Sequence, residues 1–188
     1  MQLIETHGID NDDVDSALRK FHEYQSHEKF GLELVQAKVV KAFCYQTFKA
    51  HKETFLKIAE TLINPDGLAV STVAQLILAH SRFSSEKSLA IYNDYINLVS
   101  RDVNEVTGRS PTGVLTEALM VASLYDNDRE FAQLLYEKAV INGFVSDEHE
   151  IALMKKVFKV YGDAFVEDDW KVAQPIFGRY VLECIKNT

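Results

Sequence analysis

Apolar residues return every three to four positions along almost the whole chain, and nowhere do they alternate as strand residues would. That pattern predicts helices end to end. The first spans about 14–27, with Ala17, Leu18, Phe21 and Tyr24 as its stripe, behind Asp10-Asn11-Asp12-Asp13 as cap oxygens and favourable negative charge. The next spans 30–50, where Leu32, Val35, Val39 and Phe43 are flanked by Val40, Cys44 and Phe48. So wide an arc predicts a central, well-buried helix. A shorter helix at 52–63 turns Phe55, Ile58, Ala59 and Leu62 inward, and Asn64-Pro65-Asp66-Gly67 reads as a turn.

Beyond that turn the helices fall into regular pairs: 69–81 with 85–100, 111–125 with 129–142, and 146–161 with 168–186. Pro111 suits a first helical position, and Asp126-Asn127-Asp128 caps the helix that Gly143 closes. The second helix of each pair carries a small residue followed by bulky ones. The three sets are Ser88, Ile91, Tyr92, Tyr95 and Val99; Ala132, Leu135, Tyr136 and Ala139; and Ala173, Ile176, Phe177, Tyr180 and Cys184. The small residue permits close helix approach and the bulky ones fill the groove between pairs. Spacings of 44 and 41 residues between Ser88, Ala132 and Ala173 fit repeated helix–turn–helix units.

On these residues the chain resembles the superfamily of pentatricopeptide and tetratricopeptide repeats. The stretch from Asp128 to Gly143 looks like the second helix of a pentatricopeptide unit, and Pro65-Asp66 ahead of Ala69 looks like the entry to a first helix. The resemblance runs from about Pro65 to Cys184, with units longer than the family period of about 34–35 residues and with Pro175 interrupting the last copy. It implies an all-α fold, a short right-handed α-solenoid of antiparallel helix pairs. Residues 1–188 would form one domain, with N-terminal helices at 10–63 and repeat-like pairs at 65–184. Stacked pairs leave a curved surface suited to extended peptides or helices.

The chain has 188 residues, 47% of them hydrophobic and 26% charged, an ordinary globular composition. Its 28 acidic against 20 basic residues give a net charge of −8, which works against indiscriminate adhesion to nucleic acid or anionic lipid. Two cysteines far apart in sequence are no disulfide framework and favour a reducing compartment. The start of the chain lacks a basic and apolar leader and turns acidic at Asp10, Asp12, Asp13 and Asp15. No apolar run approaches the roughly 20 residues that cross a bilayer.

Candidate chemistry is sparse. His22 and His27 lie five apart, about 140° around a helix, whereas a zinc-protease pair needs i and i+4 on one face. Asp10 to Phe21 echoes a calcium loop but has Val14, Asp15 and Phe21 where an oxygen ligand, Gly and Glu belong. Cys44 and Cys184 sit among apolar residues and read as buried small hydrophobes. No phosphate loop, nucleophile elbow or metal cluster is present in the sequence, so no catalytic residue, cofactor or metal is assigned and an enzyme is not expected.

One basic line stands out. Lys38, Lys41, Tyr45, Lys49 and Lys52 share a face if the second helix continues that far, and could hold phosphates or an acidic partner. Lys155, Lys156 and Lys159 form a second basic set, and Arg109-Ser110-Pro111 could accept a phosphate. The leading expectation is a non-catalytic adaptor or assembly subunit that binds a partner protein. The alternative implied by the resemblance is a single-stranded RNA-binding protein of the pentatricopeptide type, disfavoured by the acidic charge. A soluble, cytoplasmic protein is expected, with the mitochondrion as alternative. The last helix, rich in Trp170, Ile176, Phe177, Tyr180, Val181 and Ile185, should either pack inward or dock a second chain.

Overall fold

The computed structural model describes residues 14–27, 32–62, 69–163 and 170–188. These form α1 (Val14–His27), α2 (Leu32–Ala50), α3 (Glu53–Thr61), α4 (Val70–His80), α5 (Ser85–Tyr95), α6 (Pro111–Tyr125), α7 (Arg129–Ile141), α8 (Glu148–Val157), a π-helical segment (Phe158–Asp163) and α9 (Trp170–Asn187). Among the described residues there is no strand; one isolated bridge pairs Asn104 with Arg109. The all-α expectation therefore holds. The acidic cap at Asp10–Asp13 and the turn at Asn64–Gly67 lie outside the described residues.

Local chemistry sets most of the helix ends. Ser84, Ser110, Asp128 and Asp147 each accept a backbone N–H of the helix that follows, and Pro111 takes the first turn of α6. Gly143, at φ 67°, closes α7 and lets the Phe144 N–H reach the Ala139 carbonyl at 2.9 Å. Two ends differ from expectation. α5 stops at Tyr95 rather than running to 100, and the helix expected over 146–161 gives way after Val157 to the π-helical segment. The last helix runs through Pro175, as the expected span of 168–186 requires. Such a proline costs about 3 kcal/mol, which must be offset by what α9 buries.

α2 pairs with α3, α4 with α5, and α6 with α7, and α4 lies between α2 and α6. α4 and α6 are buried almost all round: Thr72 to His80 without a break, and Leu115 to Tyr125 apart from Glu117. They, rather than α2, form the centre. α2 buries one stripe (Val39, Val40, Phe43, Cys44, Thr47, Phe48) and exposes Lys38 and Lys49. Ser88 shows why a small residue is needed between paired helices: it is fully buried, and its hydroxyl donates to the Ile77 carbonyl of α4 at 2.8 Å.

α9 packs on α2, α4 and α6 at once. Its Ala173, Phe177, Val181 and Ile185 are buried, and Phe177 sits against Tyr125, Tyr161 and Tyr180. Each large apolar side chain buried this way contributes about 1.5–3 kcal/mol, enough to carry the proline. Of the two fates expected for the last helix, the inward one is realised. The expected third set of bulky residues is only partly inward, because Ile176 is half exposed. α9 is therefore a strap across three helices, unlike α5 or α7, each of which pairs with the helix before it.

Candidate functional site

The basic line on α2 is shorter than the sequence suggests. Lys38 and Lys49 are exposed, Lys41 and Tyr45 half-buried, and the Lys49 ammonium stands 5.8 Å from the Tyr45 ring centre. Burial lowers the Lys41 pKa. The helix stops at Ala50 because His51 takes φ 57°, a left-handed conformation that histidine tolerates better than most residues. Lys52 is then an extended residue ahead of α3 and leaves the helical line. Lys155, Lys156 and Lys159 are exposed, with Lys159 carried into the π-helical segment.

The loop between α5 and α6 is the most elaborately built surface feature. The Asn104 side-chain oxygen accepts the N–H groups of Val106 (2.9 Å) and Thr107 (3.1 Å). Backbone bonds join Asn104 N–H to Arg109 O and Gly108 N–H to Asn104 O, with Gly108 at φ 64° making the turn possible. Two arginines fasten the loop to the helices. Arg101 lies over the Phe144 ring at 4.5 Å and donates to the Asn142 carbonyl. Arg109 donates to Glu117 and, through Nε at 3.2 Å, to Glu150.

Glu150 corrects an expectation. The Arg109-Ser110-Pro111 segment has the donors to accept a phosphate, and an anion does sit there, but it is the chain's own Glu150 carboxylate. The fully buried Glu150 carboxylate accepts the Ser110 N–H at 2.6 Å and the Ser110 hydroxyl at 2.8 Å, at the N-terminus of α6. The Ser110 hydroxyl in turn accepts the Gly113 N–H at 2.9 Å. Gly113 leaves room for this, since a Cβ there would stand 2.4 Å from Glu150 Oε1. With that position filled, the segment is an anchor.

The clamped loop carries apolar residues into solvent. Val106, at its tip, is 94% exposed, and Leu98 and Ile141 are 76% and 81% exposed on the segments that Arg101 ties together. Asp102 and Glu105 are exposed beside them. A solvent-facing valine on a pre-ordered loop loses little entropy on docking. Below the loop, a groove of about 520 Å³ runs between α4, α6 and the end of α9, with Arg109 and Glu117 on one wall and Tyr180 and Cys184 on the other. Burial pushes the Cys184 thiol up to about 11 and the Cys44 thiol higher still, so neither is a thiolate at neutral pH. Among the described residues no three His, Cys, Asp or Glu side chains group to hold a metal ion, and no helix is long and apolar enough to cross a membrane.

These features define an all-helical chain: three consecutive hairpins bound by a C-terminal strap, with an anchored, apolar-tipped loop held out from one end. The chain belongs to the MRX12 C-terminal domain family, whose model matches residues 93–188, a stretch holding the loop, Glu150 and α9. It is 30% identical over 124 residues to MIOREX complex component 12 of Saccharomyces cerevisiae, an alignment covering 64% of this chain and 24% of the yeast protein. The matched region is thus about a quarter of that relative's length. No solved structure matches the chain. The basic line on α2 lies outside the family match.

Proposed function

We propose that this chain is a non-catalytic subunit of a mitochondrial complex, held in place by a partner protein. The observation that carries this reading is the relationship to a protein named as a complex component. The mitochondrial address, the alternative expected from the sequence, rests on the same relative, which lends nothing to the expected cytoplasmic one. In this reading the hairpins α2–α3, α4–α5 and α6–α7 are worn repeats stacked as a short right-handed solenoid. In the same reading α9, which packs on α2, α4 and α6, takes the face of the stack that would otherwise hold a guest. The partner then meets the outside of the molecule, at Leu98, Val106 and Ile141, with Asp102 and Glu105 setting the charge it must match.

The test is sedimentation of the tagged protein from its native cells, after separation of mitochondria from cytosol. The expected result is a mitochondrial particle far heavier than the 21.3 kDa chain, intact after ribonuclease treatment. Val106→Asp should return the chain to the light fractions with its thermal unfolding unchanged, because the side chain touches little of its own fold. A chain that stays light, or a particle that dissolves on ribonuclease treatment, refutes the reading; the second outcome favours the RNA-binding alternative.

A further inference from the structure

A second pocket, of about 300 Å³, lies on the flank where the ends of α2, α4 and α6 meet α9. Lys49, Arg82 and Arg179 line it together with Gln174, Phe48 and Tyr125, and among the described residues no Asp or Glu does. That is unusual in a chain with 28 acidic residues. Several other cations are matched by carboxylates: Lys57 by Glu53, Lys87 by Glu60, Arg109 by Glu117 and Glu150, Lys186 by Glu183. The groove beside the loop has Glu117 and Glu183 in its walls, and the pocket at Lys155 and Lys159 has Glu137.

Arg82 is the centre of this arrangement. Its guanidinium lies over the Phe48 ring at 4.9 Å, and one terminal nitrogen donates to the Tyr125 hydroxyl at 3.0 Å. Both partners are neutral. They fix the plane of the group without cancelling its charge, and Nε is buried with no hydrogen-bond partner. An unmatched buried donor is costly, more so on a charged group. Part of the positive charge is offset by the helix ends. The C-termini of α2, α4 and α6 each carry roughly −0.5, so three cations less three such ends leave about +1.5. A phosphate monoester carries about −1.5 to −2 at neutral pH. A planar guanidinium with two flexible neighbours suits its oxygens.

We infer that the pocket between Lys49, Arg82 and Arg179 binds a phosphate group. Two sources have this chemistry, a small phosphorylated molecule and the backbone of single-stranded RNA, and one experiment separates them. The Arg82 Nε–H resonance is followed by NMR while the folded protein is titrated with inorganic pyrophosphate, and separately with an oligouridylate. Binding of pyrophosphate with a Kd of about 1 mM or tighter, and a shift of the Arg82 signal, is expected. The double variant Lys49→Gln/Arg179→Gln should weaken it at least tenfold, with Lys57→Gln as a neutral control. Both substituted side chains are exposed, so the variant should unfold like the wild type. Oligouridylate that binds more tightly, is displaced by pyrophosphate and is lost in the double variant identifies RNA backbone as the source. Pyrophosphate binding alone identifies a small ligand. An Arg82 signal that does not move, or binding indifferent to the double variant, overturns the inference.

Discussion

Gly113→Ala and Gly178→Ala should change stability in opposite directions. Both glycines lie in helices at unremarkable φ, and helix propensity alone predicts that alanine stabilises each by up to about 1 kcal/mol. At Gly178 an added Cβ meets the Tyr125 ring at 3.7 Å and the Phe48 ring at 3.9 Å, ordinary contact, so the gain should survive. At Gly113 the Cβ would stand 2.4 Å from Glu150 Oε1 and 2.7 Å from the Ser110 hydroxyl. The carboxylate must withdraw from the Ser110 N–H, the Ser110 hydroxyl and Arg109. It is fully buried, so water cannot replace those partners easily. Hydrogen bonds to charged groups contribute about 1.5–3 kcal/mol each, and partial loss should outweigh propensity, for a net cost of about 2–3 kcal/mol. For a chain of this size that lowers Tm by about 5–10 °C. Urea denaturation of both variants measures it, and Gly113→Ala in a Glu150→Ala background should lose most of its penalty through coupling. A Gly113→Ala protein as stable as wild type would refute the anchor.

Stability should fall in mild acid through His80. This side chain is buried with Nε2 2.6 Å from Glu60. Burial holds its pKa below the ordinary 6.5, while Glu60 pulls the other way. The unfolded chain takes up a proton near pH 6.5 that the folded chain resists, so the contribution is whole above 6.5 and lost as the pH falls through the folded value. Denaturation midpoints at pH 7.5 and 5.5 should differ less in His80→Gln; an unchanged difference removes the residue from the explanation. The two thiols give a separate check on α9. With the Cys184 thiol raised to about 11 and Cys44 fully buried in the core, neither should react with Ellman's reagent at pH 7.5 until the protein is unfolded. Fast modification of Cys184 in the native protein would show that the end of α9 is not seated.

Helices were legible because a 3.6-residue period and cap chemistry are local. Ser84, Ser110, Asp128 and Asp147 sit where N-caps should. What is not local was missed. Nothing in Lys49-Ala50-His51-Lys52 announces that His51 turns left-handed, so the basic line was extended one residue set too far. α2 looked central because its apolar arc is wide, but burial on all sides falls to α4 and α6, which are flanked by hairpin partners and strapped by α9. The path of α9 across α2, α4 and α6 depends on contacts between residues far apart in sequence, such as Phe177 with Tyr125, and no repeat spacing encodes it.

The two anion sites of this chain show how sequence can point at the right chemistry and the wrong owner. Arg109-Ser110-Pro111 has the donors of a phosphate site, and the structure fills it with Glu150 from α8, forty residues on. Glu150 stands three residues after Asp147, the N-cap of its own helix, and tertiary packing sends its carboxylate to the start of α6. Arg82 has the reverse history. Beside Ser81 and Phe83 it is an ordinary helix-end cation, and Lys49 and Arg179 are 33 and 97 residues away from it. Three helix ends bring them together, and packing supplies a phenol and a ring where a carboxylate would have closed the site. One positive cluster is thus neutralised inside the fold and the other is left for something outside it. With 28 acids to choose from, a chain under no constraint to keep the second cluster open had ample means to pair it.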